Sequence, residues 1–525
     1  MNTKQKTNEQ LLDEIWQNLR KNDLTQAVRN SNLLNQKSPD FGPGWYAASH
    51  VAQLIRQAES ALTAIDRALD LEPANIDWLI HRAGCLFMCG DIESSRKTVL
   101  ILLGNSSTYS ASQLSSLAFL CSRLELFDKS ALLYQRLIDR EPKNGEHWYN
   151  LSSAQKFQGQ IEQAEASLDK AIGLNPEDYE AYQVRSDLRQ QTNASNHISQ
   201  LQNVLEEGIK KPLGEVQICY ALAKENEDIG DSEASFKALS RGAALRRKHI
   251  NYNISDDTQT INAIISTYHP AHLAAHQNGY STREPIFVIG LPCTGSTLVE
   301  RILASHSSVF AAGELKNFAI QMMTQLRKRS VAQNVSSLER VQQIAELDIA
   351  ELGRTYLEST RPLTGQTPYF VDKMPLNFLY AGLIHQTLPQ AKIIHPVRDP
   401  TETCYAIYKR FFQDGYPWSY DLDEIATYYL AYRRLMTHWN KVMPGVIHEL
   451  AYEDLVTDPE PHIRDLLKFC DLSWEPQCLR FDENSAASTT ASAAQIRQSM
   501  HRWRDYQQQL APLAKKLRES GIQVD

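Results

Sequence analysis

The sequence predicts two kinds of structure in one chain: an all-helical array built from a repeating unit, then an α/β domain with a central parallel sheet. Three observations predict this. Prolines and aromatic residues recur every 33 or 34 residues through the first half. Short apolar runs alternate with helically spaced segments through the second half. At Pro285-Ile-Phe-Val-Ile-Gly-Leu-Pro-Cys-Thr-Gly-Ser-Thr-Leu298 a buried-strand pattern passes through a glycine loop into a helix.

At 525 residues the chain exceeds one core and calls for two or more domains. A content of 42% hydrophobic and 22% charged residues excludes global disorder. The net charge of −8 argues against a protein that coats nucleic acid, while leaving room for a local basic pocket. The first ten residues lack the apolar core of a signal peptide, and no apolar run approaches the roughly 20 residues that cross a bilayer. The expectation is a soluble, cytoplasmic protein without a membrane span. Cys85, Cys89, Cys121, Cys219, Cys293, Cys404, Cys470 and Cys478 are scattered, mostly within apolar helical patterns, so core thiols are expected rather than disulfides or zinc. No metal site is expected.

In the first half, Pro39 and Pro73 are 34 apart, as are Pro142 and Pro176 and also Trp148 and Tyr182. Trp45 and Trp78 are 33 apart, and the 70 residues from Trp78 to Trp148 leave room for one degenerate copy. The clearest unit runs Trp148, Leu151, Gly159, Ala164, Leu168, Ala171, Pro176. This is the tetratricopeptide pattern, with small residues where two helices cross and Pro after the second. One such hairpin cannot bury its apolar stripe alone, so the copies must stack into a solenoid. Leu11 to Pro39 supplies a first copy, and Pro212 to about Leu245 a divergent last one. Concave solenoid faces often bind peptides, which makes a peptide or protein the expected partner; rigid spacing and a dimer surface, hence a homo-oligomer, stay open. The expected domains are 1–245 for the repeats, 246–284 for a helical connector and 285–525 for the α/β domain.

Within the last region, Ile286 to Gly290 reads as a buried strand and Ser296 onward as a helix. A glycine loop entering a helix N-terminus gathers backbone N–H groups around an anion, and the helix dipole adds to them. Val309-Phe-Ala-Ala-Gly-Glu-Leu315 follows, with helical spacing from Glu314. Thr367 to Lys373, Ala391 to Val397 and Gly445 to Leu450 are further strand candidates, followed by helices. Ligands of such sheets lie beyond the carboxyl ends of strands, where loop 291–297, Lys373 and Arg398 all fall. Gly290 and Gly295 have the spacing of the nucleotide-triphosphatase loop G-x-x-x-x-G-K-[ST]. Ser296 replaces its Lys, which removes the point charge that reaches the terminal phosphates and disfavours a kinase.

Pro292-x-x-Gly-Ser-Thr-Leu298, Gly313-Glu314-Leu315, Asp372-Lys373-Met-Pro-Leu-Asn377, Val397-Arg398-Asp399-Pro400 and Tyr452-Glu-Asp-Leu455 resemble the sulfotransferases. With the repeats, the chain resembles bacterial tetratricopeptide-sulfotransferase fusions, whose enzyme domain is similar to protein-tyrosine sulfotransferases. The resemblance implies a P-loop-like α/β domain that moves a sulfuryl group, without metal, from 3′-phosphoadenosine 5′-phosphosulfate to a hydroxyl, protein tyrosine among the candidates. It implies that Cys293, Thr294, Gly295, Ser296 and Thr297 hold the 5′-phosphosulfate and that Arg398 pairs with the 3′-phosphate. Tyr452 would lie near adenine, Glu314 would take the acceptor's proton and Lys373 would neutralise the leaving oxygen. Ser492 and Arg497 are further cofactor-binding candidates. Each residue also has a plainer reading: Glu314 as the start of a helix, Lys373 as a strand-end charge, Arg398 as a partner of Asp399, Tyr452 as core.

The chain departs from the family pattern at three places. Cys293 stands where a basic residue is usual, Ala406 where a Ser is usual, and Ser499-Met-His-Arg-Trp-Arg504 is shorter than usual. These departures support an alternative, a degenerate sulfotransferase fold that serves as a nucleotide-binding or scaffold module. A reactive thiol at Cys293 is disfavoured because no base is evident beside it. His306 and His395 are expected to be structural.

Overall fold

The structure, a computed structural model, describes residues 6–275, 278–329, 335–413, 415–481 and 500–524. It comprises two compact units that meet in sequence between Ala181 and Tyr182.

The first unit is a row of five helical hairpins: Asn8–Arg20 with Leu24–Lys37, Gly42–Leu54 with Ala58–Leu71, Ile76–Met88 with Ile92–Gly104, Ala111–Arg123 with Phe127–Arg140, and Gly145–Phe157 with Ile161–Leu174. Side-chain caps start many of these helices. Thr7 and Ser110 form reciprocal capping boxes with Gln10 and Gln113, and Asp23, Asn75, Asp91 and Asn144 accept from first-turn amides. The periodic Trp and Pro have a physical link: the indole of Trp45 donates to the carbonyl of Pro39 at 2.8 Å, and Trp148 to that of Pro142 at 3.3 Å. The degenerate copy is the fourth hairpin, where Ser110 opens the helix and no Trp is present.

Small residues let the two helices of each hairpin approach closely, and a hydroxyl bridges several of the crossings. Ser49 Oγ donates to Ala61 O (2.7 Å), Ser95 to Ala83 O (2.8 Å) and Ser130 to Ala118 O (3.0 Å), each pair twelve residues apart. Successive apolar clusters then run along the array, first around Leu11, Ile15 and Val51, next around Ile65 and Trp78, and then around Leu114, Leu137 and Leu151.

The second unit contains the sheet and the helices before it. The same twelve-residue crossing recurs in the hairpin Pro212–Ile229 and Ser232–Lys248, where Ser235 Oγ donates to Ala223 O at 2.8 Å. This hairpin belongs with the α/β domain, although the sequence places it with the repeats. Val216, Tyr220, Leu239 and Ala243 share one apolar cluster with Phe287 and Trp439, and so does Ile264 of the connecting helix Ile254–Thr267. A repeat-type hairpin with an apolar outer face can bury it against any apolar surface, and here that surface is the α/β core.

Five parallel strands form the sheet: β1 (Pro285–Val288), β2 (Val309–Ala311), β3 (Tyr369–Asp372), β4 (Lys392–Val397) and β5 (Ile447–Ala451), in the order β2-β3-β1-β4-β5. Ile286 pairs with Val371 on one side and Lys392 on the other, and Ile393 pairs with Ile447. β1 is wholly buried, as its apolar run requires. Chain connections depart to both sides of β1, so a crevice opens beyond its carboxyl end. Glu314 precedes the helix Asn317–Lys328 and lies in the loop after β2. Among the described residues, no helix is long and apolar enough to cross a membrane, and no group of three His, Cys, Asp or Glu side chains is placed to hold a metal ion.

The repeat unit holds two stacked imidazoles, His50 and His81, with ring centroids 3.9 Å apart. Burial lowers the pKa of His50 to about 4; burial and then the neighbouring His50 lower that of His81 to about 3. An unfolded chain takes up both protons near pH 6.5, so the folded unit binds fewer protons between these values and its stability falls as pH drops below about 6.5. In thermal melts of the full chain, the loss of melting temperature between pH 7 and pH 5 should be shallower for His50→Gln/His81→Gln than for the natural sequence. Equal slopes would remove the pair from the account.

Candidate functional site

The loop after β1 reverses direction through left-handed backbone at Cys293 (φ 67°) and Gly295 (φ 98°), and the helix Ser296–Ala304 starts directly after it. Its first amides have no acceptor within the helix and remain as donors. The Gly290 amide donates to Pro375 O at 3.0 Å, and the Thr294 hydroxyl donates to Leu291 O at 2.9 Å, so both groups hold the loop itself. Ser296 is nearly buried and Thr297 is half-buried.

Arg398, at the end of β4, reaches back to this loop. Its Nη1 donates to Cys293 O at 3.2 Å, its Nη2 meets Glu402 Oε1 at 3.3 Å, and its guanidinium lies 4.8 Å from the ring centroid of Tyr452. A Cβ built on Gly295 would come within 2.3 Å of Tyr452 Cδ2, so the tyrosine ring occupies the space that only glycine leaves. Asp399 caps the helix Pro400–Tyr408 by accepting from the Glu402 amide at 2.7 Å. Glu402 is a member of the site that the sequence reading missed; its position four residues after Arg398 on a helix turn was the available signal. Burial raises its pKa, with Arg398 opposing.

On the other side of β1, Lys373 at the end of β3 forms an ion pair with Glu314 at 2.8 Å and lies 3.9 Å from Glu300. The Lys373 side chain is 12% exposed and that of Glu314 55%, so the pair opens to solvent through the carboxylate. Glu300, on the helix Ser296–Ala304, accepts from the Gly313 amide at 3.0 Å and orients the loop that carries Glu314. Its pKa is raised by burial, with Lys373 opposing. Asp372, fully buried beside Lys373, accepts from the Tyr356 hydroxyl at 2.8 Å, and burial first of all carries its pKa to about 7. Asp372 belongs to a motif quoted from the sequence but has no role assigned there, and Glu300 is not singled out, because its partners Lys373 and Gly313 are distant in the chain.

The Cys293 thiol packs against Ala406 O at 3.7 Å, and burial raises its pKa although Arg410, Arg398 and Lys409 oppose. Burial therefore works against a depressed, reactive thiol at this position. The Cys293 carbonyl accepts a hydrogen bond from Arg398. Tyr416 joins this wall in a left-handed conformation (φ 44°), with its ring 4.7 Å from Phe412. Its hydroxyl pKa is raised by burial first of all, with Glu314 adding to the rise. Ser492 and Arg497 lie outside the described residues. His306 bonds Ser473 O at 3.0 Å, while His395 contacts Glu449 at 3.1 Å and the Tyr432 hydroxyl, so both are engaged in local structure.

Residues 285–476 match the profile of the sulfotransferase family, and residues 133–166 match a tetratricopeptide repeat. The α/β domain is sulfotransferase-like. An uncharacterized protein of Aquifex aeolicus (strain VF5) is 30% identical over 382 residues, 69% of this chain and 48% of that protein. The protein-tyrosine sulfotransferase of Drosophila melanogaster is 28% identical over 213 residues, 38% of this chain and 40% of that one. The chain spans about half the length of the curated relatives it matches. Among solved structures, a sulfotransferase domain from the curacin biosynthetic pathway aligns with 46% of this chain and 99% of its own, at 15% identity and a TM-score of 0.30.

Within the sulfotransferase-like domain, two glycine substitutions separate backbone strain from ring displacement. Gly313 (φ 69°) has nothing within 4 Å of a new Cβ, so Gly313→Ala should cost about 1–2 kcal/mol of left-handed strain. Gly295→Ala carries the same strain and must also displace Tyr452, adding roughly 1–3 kcal/mol. Thermal melts should therefore rank Gly295→Ala as the more destabilised; the reverse order would contradict the close approach of the ring.

Proposed function

We propose that the sulfotransferase-like domain moves a sulfuryl group from 3′-phosphoadenosine 5′-phosphosulfate to a hydroxyl acceptor, with tyrosine of a peptide or protein as the acceptor class. The relatives named protein-tyrosine sulfotransferase support that class. The observation that carries the reading is the convergence, at the carboxyl edge of one parallel sheet, of a helix N-terminus, a guanidinium and a lysine–carboxylate pair.

The donor set suits an adenosine carrying phosphates at two positions. The first amides of the helix Ser296–Ala304, with the hydroxyls of Ser296 and Thr297, would hold the 5′ end. The Thr294 hydroxyl is spent on Leu291 O, so this residue would contribute through its amide. Arg398 would hold the 3′-phosphate by exchanging Glu402 and the Cys293 carbonyl for phosphate oxygens, and Tyr452, already stacked below Arg398, would flank the adenine. When bound, the nucleotide supplies the sulfuryl group and a phosphate leaving group.

Glu314 would take the proton from the acceptor hydroxyl as its oxygen lone pair turns to sulfur, and Lys373 would meet the charge growing on the bridging oxygen as its bond to sulfur breaks. Their 2.8 Å ion pair brings these two tasks together. Glu300 and the Gly313 amide hold the Glu314 loop in place. No metal takes part in this proposal. The repeat unit is assigned the binding of a peptide or protein partner.

The competing reading, a sulfotransferase fold kept as a nucleotide-binding or scaffold module, draws on Cys293, whose thiol cannot supply the positive charge of a basic residue. Transfer of radiolabelled sulfate to a panel of tyrosine-containing peptides separates the two. Glu314→Gln should lower kcat by about 10²–10⁴-fold with nucleotide KM nearly unchanged, and Lys373→Ala should lower it by about 10²–10³-fold. The double variant should be little worse than the worse single one, because the two residues act as a unit. Undiminished transfer by Glu314→Gln would overturn the assignment of the base, and nucleotide binding without transfer to any acceptor would favour the scaffold.

A further inference from the structure

Glu227 lies on the hairpin helix Pro212–Ile229, outside the groups assigned above, yet its largely covered carboxylate, 14% exposed, gathers four donors. Tyr405 Oη donates to it at 2.8 Å, Lys409 Nζ at 2.9 Å, Arg502 Nη1 at 3.4 Å and Tyr506 Oη at 3.4 Å. Burial alone would raise its pKa, but Lys409, Tyr405 and Arg502 outweigh burial and hold it below the ordinary carboxylate value. A buried carboxylate this fully partnered fixes geometry more than it adds net stability.

The donors come from two segments that are far apart in the sequence. Tyr405 and Lys409 belong to the end of the helix that begins beside Arg398, and Arg502 and Tyr506 belong to the turn Arg502–Tyr506 near the carboxyl end of the chain. The single Tyr506 hydroxyl proton is shared between Glu227 and Ser235 Oγ, 3.1 Å away, the hydroxyl that bridges the hairpin crossing, and the Tyr506 ring lies 4.7 Å from that of Tyr405. One residue after Arg502, the Trp503 amide donates to Glu402 Oε2 at 3.2 Å, while the other oxygen of Glu402 meets Arg398. Contacts thus run without a break from Glu227, through Arg502 and the Trp503 amide, to Glu402 and Arg398.

We propose that Glu227 is a positioning residue for the nucleotide site: by anchoring the 502–506 turn it sets the Trp503–Glu402 contact that aims Arg398. The inference rests on the reading of Arg398 as the 3′-phosphate ligand. It gives the repeat-type hairpin a task inside the catalytic unit, that of a fixed buttress for a phosphate-binding side chain.

Calorimetric titration of the full chain with adenosine 3′,5′-bisphosphate tests it. Glu227→Gln keeps the shape and removes the charge; it should weaken binding on the order of tenfold while kcat at saturating nucleotide changes less than about twofold. Tyr506→Phe, which keeps the ring, should shift binding in the same direction by less. Glu227→Gln and Glu402→Gln should be strongly non-additive in binding, whereas loss of stability alone would leave them additive. Hydrogen exchange at 500–506 reads the relay without any nucleotide and should quicken in folded Glu227→Gln. Unchanged exchange, or unchanged affinity in a variant whose natural counterpart binds, would overturn the inference. Quickened exchange with no bisphosphate binding by the natural sequence would instead overturn the reading of the site.

Discussion

The site depends on how one guanidinium is held. Arg398 is caught between the Cys293 carbonyl, the Glu402 carboxylate and the face of Tyr452, and its side chain is only 9% exposed. A largely buried guanidinium needs compensation, and these partners come from the β1 loop, the helix after β4 and the segment after β5. Holding Arg398 therefore fixes three loops at the carboxyl edge relative to one another. Tyr452 links the arrangement to Gly295, since the ring fits only where no Cβ intervenes. Glu402 holds the place of an anion, so phosphate binding would be an exchange of partners rather than the filling of a vacant basic pocket.

The second half of the site is built differently. Lys373 faces Glu314 and Glu300, while its chain neighbour Asp372 bonds Tyr356, and Glu300 and Asp372 are pushed toward their neutral forms by burial. Of these carboxyls, Glu314 is the one open to solvent, which suits a group that must meet an incoming hydroxyl. β1 lies between the two halves, and its glycine loop faces both.

Much of this was legible in the sequence where a motif is local. The strand, loop and helix around Gly295, the strand-end positions of Lys373 and Arg398, and the Trp–Pro periodicity follow from short-range chemistry. Other features escaped because their partners are distant. The plainer sequence alternative for Arg398 is its neighbour Asp399, yet Asp399 caps its own helix and Glu402, one turn on, meets the guanidinium. Glu314 was read as opening a helix that starts three residues later. The hairpin 212–248 carries a repeat-type crossing and so reads as a repeat, but its outer apolar residues pack into the α/β core, a choice of surface that periodicity cannot specify.

The central claim is that Arg398 and the β1 loop form a site for an adenosine carrying phosphates at both its 3′ and 5′ positions. Calorimetric titration with adenosine 3′,5′-bisphosphate, comparing the natural sequence with Arg398→Ala and Arg398→Lys, tests it most directly. The account predicts one saturable site, weakened at least about tenfold by either substitution, because lysine cannot reproduce the two-pronged contact of a guanidinium with phosphate. No binding at millimolar bisphosphate, or binding indifferent to Arg398→Ala, would contradict it.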